Sequence, residues 1–175
     1  MDNVIRQYHH LRAEIDQQVD RLLTLHSCYL QCQKQCTDCC MNLTVWPVEF
    51  FAIAQDLRSA GIKPAFDEQA ACGFLKEGLC QIYPFRPLIC RTHGLPLVYL
   101  DEQDDGPVHC VTFCRKNFAA PEAAAIAFGP DNTLDMDTVN ETLARLHLAF
   151  CKAGGPIGDG EQGRMALAHL VEHLL

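Results

Sequence analysis

The N-terminal segment carries apolar side chains at steps of three and four, which is the spacing of one helix face. These positions are Val4, Tyr8, Leu11, Ile15, Val19, Leu22, Leu25 and Tyr29. Charged side chains occupy the opposite face, and neither Gly nor Pro interrupts the run. The pattern predicts a long amphipathic helix within residues 1–31. The apolar stripe favours packing within its own domain over pairing with a second copy of the chain.

Shorter periodic segments predict the remaining elements. Helices are predicted over residues 48–60, 121–128, 137–154 and 161–175. Residues 95–100 and 108–113 have the pattern of two strands, and the polar residues 101–106 between them have the composition of a turn. Because two strands alone are marginally stable, we expect this hairpin to lie on other elements.

Length and composition indicate a folded domain. A chain of 175 residues can bury its own hydrophobic core. Its hydrophobic content of 49% and charged content of 21% are near the averages of globular proteins, which excludes disorder and a chain made only of coiled coil. Asp and Glu outnumber Lys and Arg by 22 to 14. Because nucleic-acid binding depends on cations that replace counterions, we expect no nucleic-acid partner.

The cysteine content of 11 is several-fold above ordinary usage. The N-terminus lacks the basic and apolar regions of a secretory signal, and no apolar run approaches the roughly 18 residues that span a bilayer. We therefore expect a cytoplasmic protein without a membrane partner, where thiols stay reduced and clustered cysteines bind metal. The alternative is a secreted disulfide scaffold that has lost its signal, which the odd cysteine count disfavours.

The cysteines that carry the candidate chemistry fall into two blocks. They are Cys32, Cys36, Cys39 and Cys40 in the first block, and Cys72, Cys80 and Cys90 in the second. The two-residue spacer between Cys36 and Cys39 lets two thiolates face one ion. Neighbouring residues of an extended chain point in opposite directions. Cys39 and Cys40 therefore meet one ion through a kinked turn, serve two centres, or leave one of the pair in the core.

Other residues near these blocks have different predicted roles. Cys28 adjoins the first apolar stripe and Cys151 lies on a predicted helix, so both are interpreted as buried apolar cysteines. Four thiolates around Zn²⁺ leave a net negative charge that is costly to bury without donors. Arg86 and Arg91 flank Cys90, and we expect at least one guanidinium to donate to the sulfurs or to an acidic neighbour.

The order of these elements resembles the CxxCxxCC family, also called the YkgJ family, of zinc- or iron-chelating proteins. The matching elements are Cys32/Cys36/Cys39/Cys40, Cys72-Gly73-Phe74-Leu75, Cys80-Gln81-Ile82-Tyr83, Arg86-Pro87 and Cys90-Arg91. The first spacer holds three residues, where the family pattern has two. Members of the family often carry one more cysteine downstream. The resemblance thus implies Cys110 or Cys114 as a further ligand, and we prefer Cys114.

The resemblance leaves the metal open, because zinc and iron–sulfur clusters both accept thiolate ligands. Eight candidate cysteines allow two mononuclear sites, one cluster with spare thiols, or a cluster plus a zinc ion. The second block lacks the short knuckle of a zinc ribbon, since Cys72, Cys80 and Cys90 are eight and ten residues apart. This spacing favours an iron–sulfur cluster, of the 4Fe-4S type, over zinc.

The sequence therefore predicts a metal-binding protein with a structural, redox or metal-handling role. The alternative is an enzyme with an open coordination site for methylase-like or redox chemistry, placed beside Arg86, Arg91, His93 or Glu49. The resemblance extends to flagellin lysine methylases, but no glycine-rich cofactor-binding motif follows a strand here. The methylase activity is therefore not carried over.

The predicted fold class is mainly α, with a helical scaffold, an irregular Cys-rich metal-binding segment and a small β-hairpin. We expect one domain over residues 1–175. Its parts are the long helix of residues 1–31, the Cys-rich core of residues 32–118 and the C-terminal helices of residues 119–175. Besides the metal ion or cluster, the partners considered are a second copy bound through the first helix and an unidentified protein.

Overall fold

The fold is mixed α/β. Helices account for 44% of the chain and strands for 14%, so the prediction of a mainly α protein is only partly correct. The structure is a computed structural model that describes residues 1–103, 106–158 and 160–175. Asp104 and Asp105, which belong to the predicted polar turn, lie outside the described residues.

The described helices and strands follow one another in a fixed order. The α-helices are α1 (Asp2–Leu25), α2 (Pro47–Ser59), α3 (Leu88–Thr92), α4 (Met136–Lys152) and α5 (Leu170–His173). The strands are β1 (Thr44–Val45), β2 (Leu75–Lys76), β3 (Leu79–Cys80), β4 (Leu97–Gln103), β5 (Gly106–Thr112), β6 (Leu134–Asp135) and β7 (Met165–Ala166). Short 3₁₀ helices span Tyr83–Phe85, Pro121–Ala125, Glu161–Gly163 and Leu167–His169.

Helix α1 forms one wall of the main hydrophobic core. Its buried residues are Val4, Ile5, Tyr8, Leu11, Ile15, Val19 and Leu22, which are most of the predicted apolar stripe. They pack with side chains of α2, α3, β4 and α4. The helix ends at Leu25, earlier than the sequence predicted, and Leu25 itself is exposed. The apolar stripe thus packs against other elements of the same chain. A homo-oligomer formed through α1 stays a prediction.

The sheets place the Cys-rich segments beside this core. Strand β4 pairs antiparallel with β5 and parallel with β6 in a three-stranded sheet, which supports the predicted hairpin. Strands β2 and β3 form a minimal hairpin between Cys72 and Tyr83. Phe74 and Ile82, at the two sides of that hairpin, are buried in a second core with α2 and the C-terminal residues.

The C-terminal segment differs from its prediction. In place of a helix over residues 161–175, β7 pairs antiparallel with β1, and only α5 is α-helical. The backbone amide of Leu167 donates to the carbonyl of Leu43 at 3.0 Å, so hydrogen bonds to a distant segment replace those of a helix. The predicted helix over residues 121–128 is likewise reduced to the 3₁₀ helix of residues 121–125.

Two neighbouring leucines test the packing of α1. Leu22 is fully buried, whereas Leu23 is 41% exposed. We expect Leu22→Ala to lower the free energy of unfolding by about 2–5 kcal/mol, because it leaves a cavity in the core. Leu23→Ala should change it by less than about 0.5 kcal/mol. Chemical denaturation followed by circular dichroism measures both values, and equal losses in the two variants would contradict the described orientation of α1.

Candidate metal centre

Asn117 organises the end of the first cysteine block. It is 1% exposed, and its side-chain oxygen accepts a hydrogen bond from the backbone amide of Gln31 at 2.7 Å. Its side-chain nitrogen donates to the carbonyl oxygen of Gly94 at 2.7 Å and lies 3.4 Å from the sulfur of Cys32. The same amide thus joins the chain before Cys32 to the turn between α3 and β4.

Gly94 allows the backbone of that turn to approach Cys32. Its φ of +93° is one that residues with a Cβ rarely adopt, and an added Cβ would lie 3.1 Å from the Cys32 sulfur and 3.6 Å from Cβ of Cys114. The backbone amide of Cys114 donates to the carbonyl of Gly94 at 3.3 Å. Cys32 and Cys114 therefore both lie against Gly94, although 82 positions separate them in the sequence.

Three other thiols lie near Cys39. Burial raises the pKa of Cys39, a backbone hydrogen bond lowers it, and the charges of these three groups as thiolates raise it. Those three are Cys32, Cys36 and Cys114. We call Cys32, Cys36, Cys39 and Cys114 group A. An ion pair of 2.5 Å between Lys116 and Asp38 also joins the two segments that carry this group.

A second set of four thiols surrounds Cys40 and Cys90. Burial, followed by the charges of neighbouring thiols, raises the pKa of Cys40 to about 11 and that of Cys90 to about 12. The thiols that act on Cys90 are Cys80, Cys72 and Cys40, and those that act on Cys40 are Cys39, Cys72 and Cys80. We call Cys40, Cys72, Cys80 and Cys90 group B. The two groups adjoin at the Cys39–Cys40 peptide.

Glu49 holds the cysteine-bearing helix α3 against α1 and α2. This side chain is 3% exposed. Its Oε1 atom accepts hydrogen bonds from the hydroxyl of Tyr8 at 2.9 Å and from the backbone amide of Leu88 at 2.8 Å. Leu88 begins α3, and Cys90 follows two residues later. The carboxylate therefore determines where group B meets the helical scaffold.

Arg91 makes a second tie to the scaffold. One guanidinium nitrogen donates to both carboxylate oxygens of Asp16 on α1, each at 2.7 Å. The remaining nitrogens donate to the carbonyls of Pro84 at 2.5 Å and Arg86 at 2.8 Å. Arg91 thus binds an acidic neighbour and the backbone before α3, which is one of the two outcomes that the sequence predicted for the arginines.

Arg86 lies nearer to the thiols. Its guanidinium donates to the carbonyl of Tyr83 at 2.8 Å and packs 3.8 Å from the centre of the Tyr83 ring. Burial raises the pKa of Cys80, and the positive charge of Arg86 lowers it. Arg86 therefore stabilises negative charge on group B, as expected of an arginine beside a thiolate centre.

The remaining cysteines lie elsewhere. Cys28 is exposed, and its prediction as a buried apolar cysteine is wrong, because α1 ends at Leu25 and the stripe does not continue through it. Cys110 lies on β5, with its sulfur 3.9 Å from a carboxylate oxygen of Asp101. Cys151 lies on α4, with its sulfur 3.7 Å from the ring nitrogens of His147.

Both groups have the donor chemistry of a metal centre. All 11 cysteines are free thiols. Within the described ranges, no three His, Cys, Asp or Glu side chains are already placed to hold a metal ion. Metal binding by either group therefore requires its thiols to move closer together. Thiolates are the ligands that structural zinc and iron–sulfur clusters share, so the donor set fits either.

Two asparagines position the cysteines, and the sequence analysis missed both. Asn117 holds the group A segments, and the side-chain oxygen of Asn42 accepts from the backbone amide of Gly73 at 2.9 Å. This second contact joins the first cysteine block to the residue after Cys72. Asparagine is common in loops, so no local signal distinguishes these two from the others.

Comparison with known proteins gives one match. The family model CxxCxxCC, described as "Putative zinc- or iron-chelating domain", matches residues 31–123, just over half of the chain. These residues include every cysteine of groups A and B. The searches of curated proteins and of solved structures found no match.

Arg91 provides a test of how the cysteine segment is anchored. We expect Arg91→Met to lower the free energy of unfolding by about 2–3 kcal/mol, because the buried guanidinium makes several charged hydrogen bonds. The exposed Arg145 on α4 is the matched control, and Arg145→Met should cost less than about 0.5 kcal/mol. Urea denaturation measures both, and a loss in Arg91→Met no larger than in the control would exclude the anchoring role.

Proposed function

Because the chain belongs to the CxxCxxCC family, as its cysteine order indicated, we propose that it binds metal in two separate four-cysteine centres. Group A supplies one centre and group B supplies the other. The observation that carries the proposal is the division at Cys39 and Cys40. The other thiols that act on Cys39 are those of group A, whereas the thiols that act on Cys40, apart from Cys39, belong to group B.

Two of the three arrangements that eight candidate cysteines allow have two centres, either two mononuclear sites or a cluster plus a zinc ion. Cys39 lies in a turn, because the backbone amide of Cys40 donates to the carbonyl of Thr37 at 2.9 Å. The chain is therefore not extended here, and with two centres each of these neighbouring thiols binds its own metal. Each group has the four thiolates that a zinc ion or a [4Fe-4S] cluster needs, and Arg86 offsets part of the negative charge of group B.

The proposed role of the two centres is to tie irregular segments to the scaffold. Residues 26–43 contain no helix or strand, and β2 and β3 have two residues each. A metal in group A would link Cys32, Cys36 and Cys39 to Cys114 beyond β5. A metal in group B would link Cys40 to the β2–β3 hairpin and to α3. Because these segments have few contacts of their own, metal binding contributes to their folding.

A second candidate function is an enzyme that uses a metal centre of this kind. One observation favours it: Cys114 and His93 line a cavity of about 360 Å³ beside group A. A substrate in this cavity would lie near a thiolate-bound metal. The metal would then supply Lewis-acid or electron-transfer chemistry.

The metal stoichiometry of single variants tests the two-centre proposal. We expect Cys114→Ser to lose the metal of group A only and Cys90→Ser to lose that of group B only, because each removes one of four ligands. Each single variant should retain only the metal of the other group, and the double variant should retain almost none. Elemental analysis of anaerobically purified protein measures the content, and its visible spectrum distinguishes iron–sulfur clusters from zinc.

Cys110→Ser is the matched control for Cys114→Ser, since both cysteines lie in or just after β5. It should retain the full metal content. The proposal of two centres would be rejected if either Cys114→Ser or Cys90→Ser removed all the metal, since that result indicates one shared centre.

Limited proteolysis tests whether a metal in group A links the first cysteine block to Cys114. Lys34 is exposed and lies between Cys32 and Cys36. We expect metal removal with a chelator to speed tryptic cleavage after Lys34 by about tenfold or more, because the segment then opens locally. Cleavage after Lys152, at the end of α4, should change much less. Mass spectrometry of early fragments gives both rates.

Two variants separate the groups in this assay. Cys114→Ser should speed cleavage after Lys34 in metal-loaded protein, whereas Cys90→Ser should leave that rate close to the wild-type rate. Equal acceleration by the two variants would contradict a local tie by group A.

A further inference from the structure

The cavity beside group A has a mixed lining that includes Cys114, and its other lining residues belong to neither thiol group. It lies between α2, α3, the β4–β5 sheet and α4, and its volume of about 360 Å³ is at the lower end of small-molecule sites. One wall is apolar and is formed by Leu88, Leu95, Leu97, Met136, Val139 and Leu143. Polar groups from other elements complete the lining. Pockets of this composition orient small ligands through a few polar contacts.

Glu49 contributes the acidic group of the cavity. Both hydrogen bonds of its carboxylate, from Tyr8 and Leu88, go to Oε1. Within the part of the chain that the structure describes, no hydrogen-bond donor contacts Oε2. This oxygen keeps solvent access, since among the described residues no fully buried side-chain oxygen lacks a hydrogen-bond partner. Since Glu49 lines the cavity, a ligand in the cavity can supply that donor.

Arg164 contributes the basic group. It enters the cavity from the C-terminal segment, and its guanidinium lies 4.5 Å from the centre of the Trp46 ring. One of its nitrogens donates to the carbonyl of Thr44 at 3.4 Å. The charge of Arg164 acts on Glu49 and lowers the pKa of that carboxyl, which burial raises. An acid and a base thus share one small apolar cavity.

We propose that this cavity binds a small zwitterion with a protonated amine, a carboxylate and a short branched or straight apolar side chain. The amine donates to Oε2 of Glu49, and the carboxylate accepts from the guanidinium of Arg164. The apolar side chain packs against the leucine-rich wall, where burial from water favours it. The free α-amino acid leucine has this chemistry and serves as the probe.

Charge and size support a zwitterion over simpler ligands. A monoamine would leave the guanidinium without a carboxylate, and a monocarboxylate would leave the Glu49 carboxylate without a donor from the ligand. The ligand that satisfies both groups is neutral overall, which avoids moving a net charge into a partly apolar cavity. The proposal requires no metal in group A or group B.

Calorimetric titration of the full chain with three probes tests the proposal. The probes are L-leucine, 4-methylpentanoate, which lacks the amine, and 3-methylbutylamine, which lacks the carboxylate. We expect L-leucine to bind with a dissociation constant of about 1 mM or lower. Each of the other two probes should bind about tenfold or more weakly, because it loses one charged contact.

Two variants test which side chain contacts the amine of the ligand and which contacts its carboxylate. In Glu49→Gln the amide oxygen can keep both hydrogen bonds of Oε1, while the amide nitrogen replaces Oε2 and removes the acceptor. We expect this variant to weaken L-leucine about tenfold or more and to leave 4-methylpentanoate unchanged. Arg164→Met should weaken L-leucine similarly and leave 3-methylbutylamine unchanged. Glu141→Gln and Arg145→Met, on the exposed side of α4, are the matched controls and should bind all three probes as the wild type does.

Binding of L-leucine no tighter than that of either analogue would overturn the proposal. An equal effect of Arg164→Met on all three probes would also overturn it. This test with Arg164→Met can be made even if Glu49→Gln fails to fold. Metal analysis of every variant keeps the two proposals separate. Full metal content with no leucine binding would reject the cavity proposal alone, and leucine binding by metal-free protein would leave it intact.

Discussion

The buried carboxylate of Glu49 is the contact on which the arrangement of the cysteines depends. Its Oε1 atom joins the hydroxyl of Tyr8 on α1 to the first amide of α3. These bonds lie in the protein interior, where they are stronger than in water and where an unpaired partner is costly. Arg91 adds a second tie from the same helix to Asp16. Together the two side chains place Cys90 and the preceding turn on a rigid helical wall.

Three of the clustered thiols have a raised pKa and favour the neutral form when no cation is near. Burial is the main cause, and the charges of neighbouring thiolates add to it, at Cys39, Cys40 and Cys90. A bound metal ion reverses that balance, because it stabilises several thiolates at once. The loops can therefore depend on the metal for their order, while Asn117 and Asn42 hold their ends near the final positions.

The cavity and group A share the turn between α3 and β4. Gly94 lines the cavity and also lies against the Cys32 sulfur. Cys114 likewise belongs both to group A and to the cavity lining. The main core, the thiol groups and the cavity are thus built around the short helix α3 and the residues that follow it. Small-molecule sites often lie where several elements meet.

The sequence predicted the parts of this protein that depend on local spacing. Four features were predicted because each has a signal within a short stretch of sequence. They are the apolar period of α1, the helix after Pro47, the hairpin and the family. Local spacing also singled out the seven cysteines of the two sequence blocks, and the family resemblance added Cys114. It failed at the C-terminus, where residues with a helical pattern pair with β1.

Tertiary structure decided the rest, since it depends on contacts between residues far apart in the chain. The position of Cys114 beside Gly94 and the ion pair between Arg91 and Asp16 both arise from such contacts. The cavity depends on such contacts too, because Glu49 lies on α2 and Arg164 directly precedes β7. A one-dimensional pattern records which residue types are present, but only packing brings Glu49 and Arg164 into one enclosed volume.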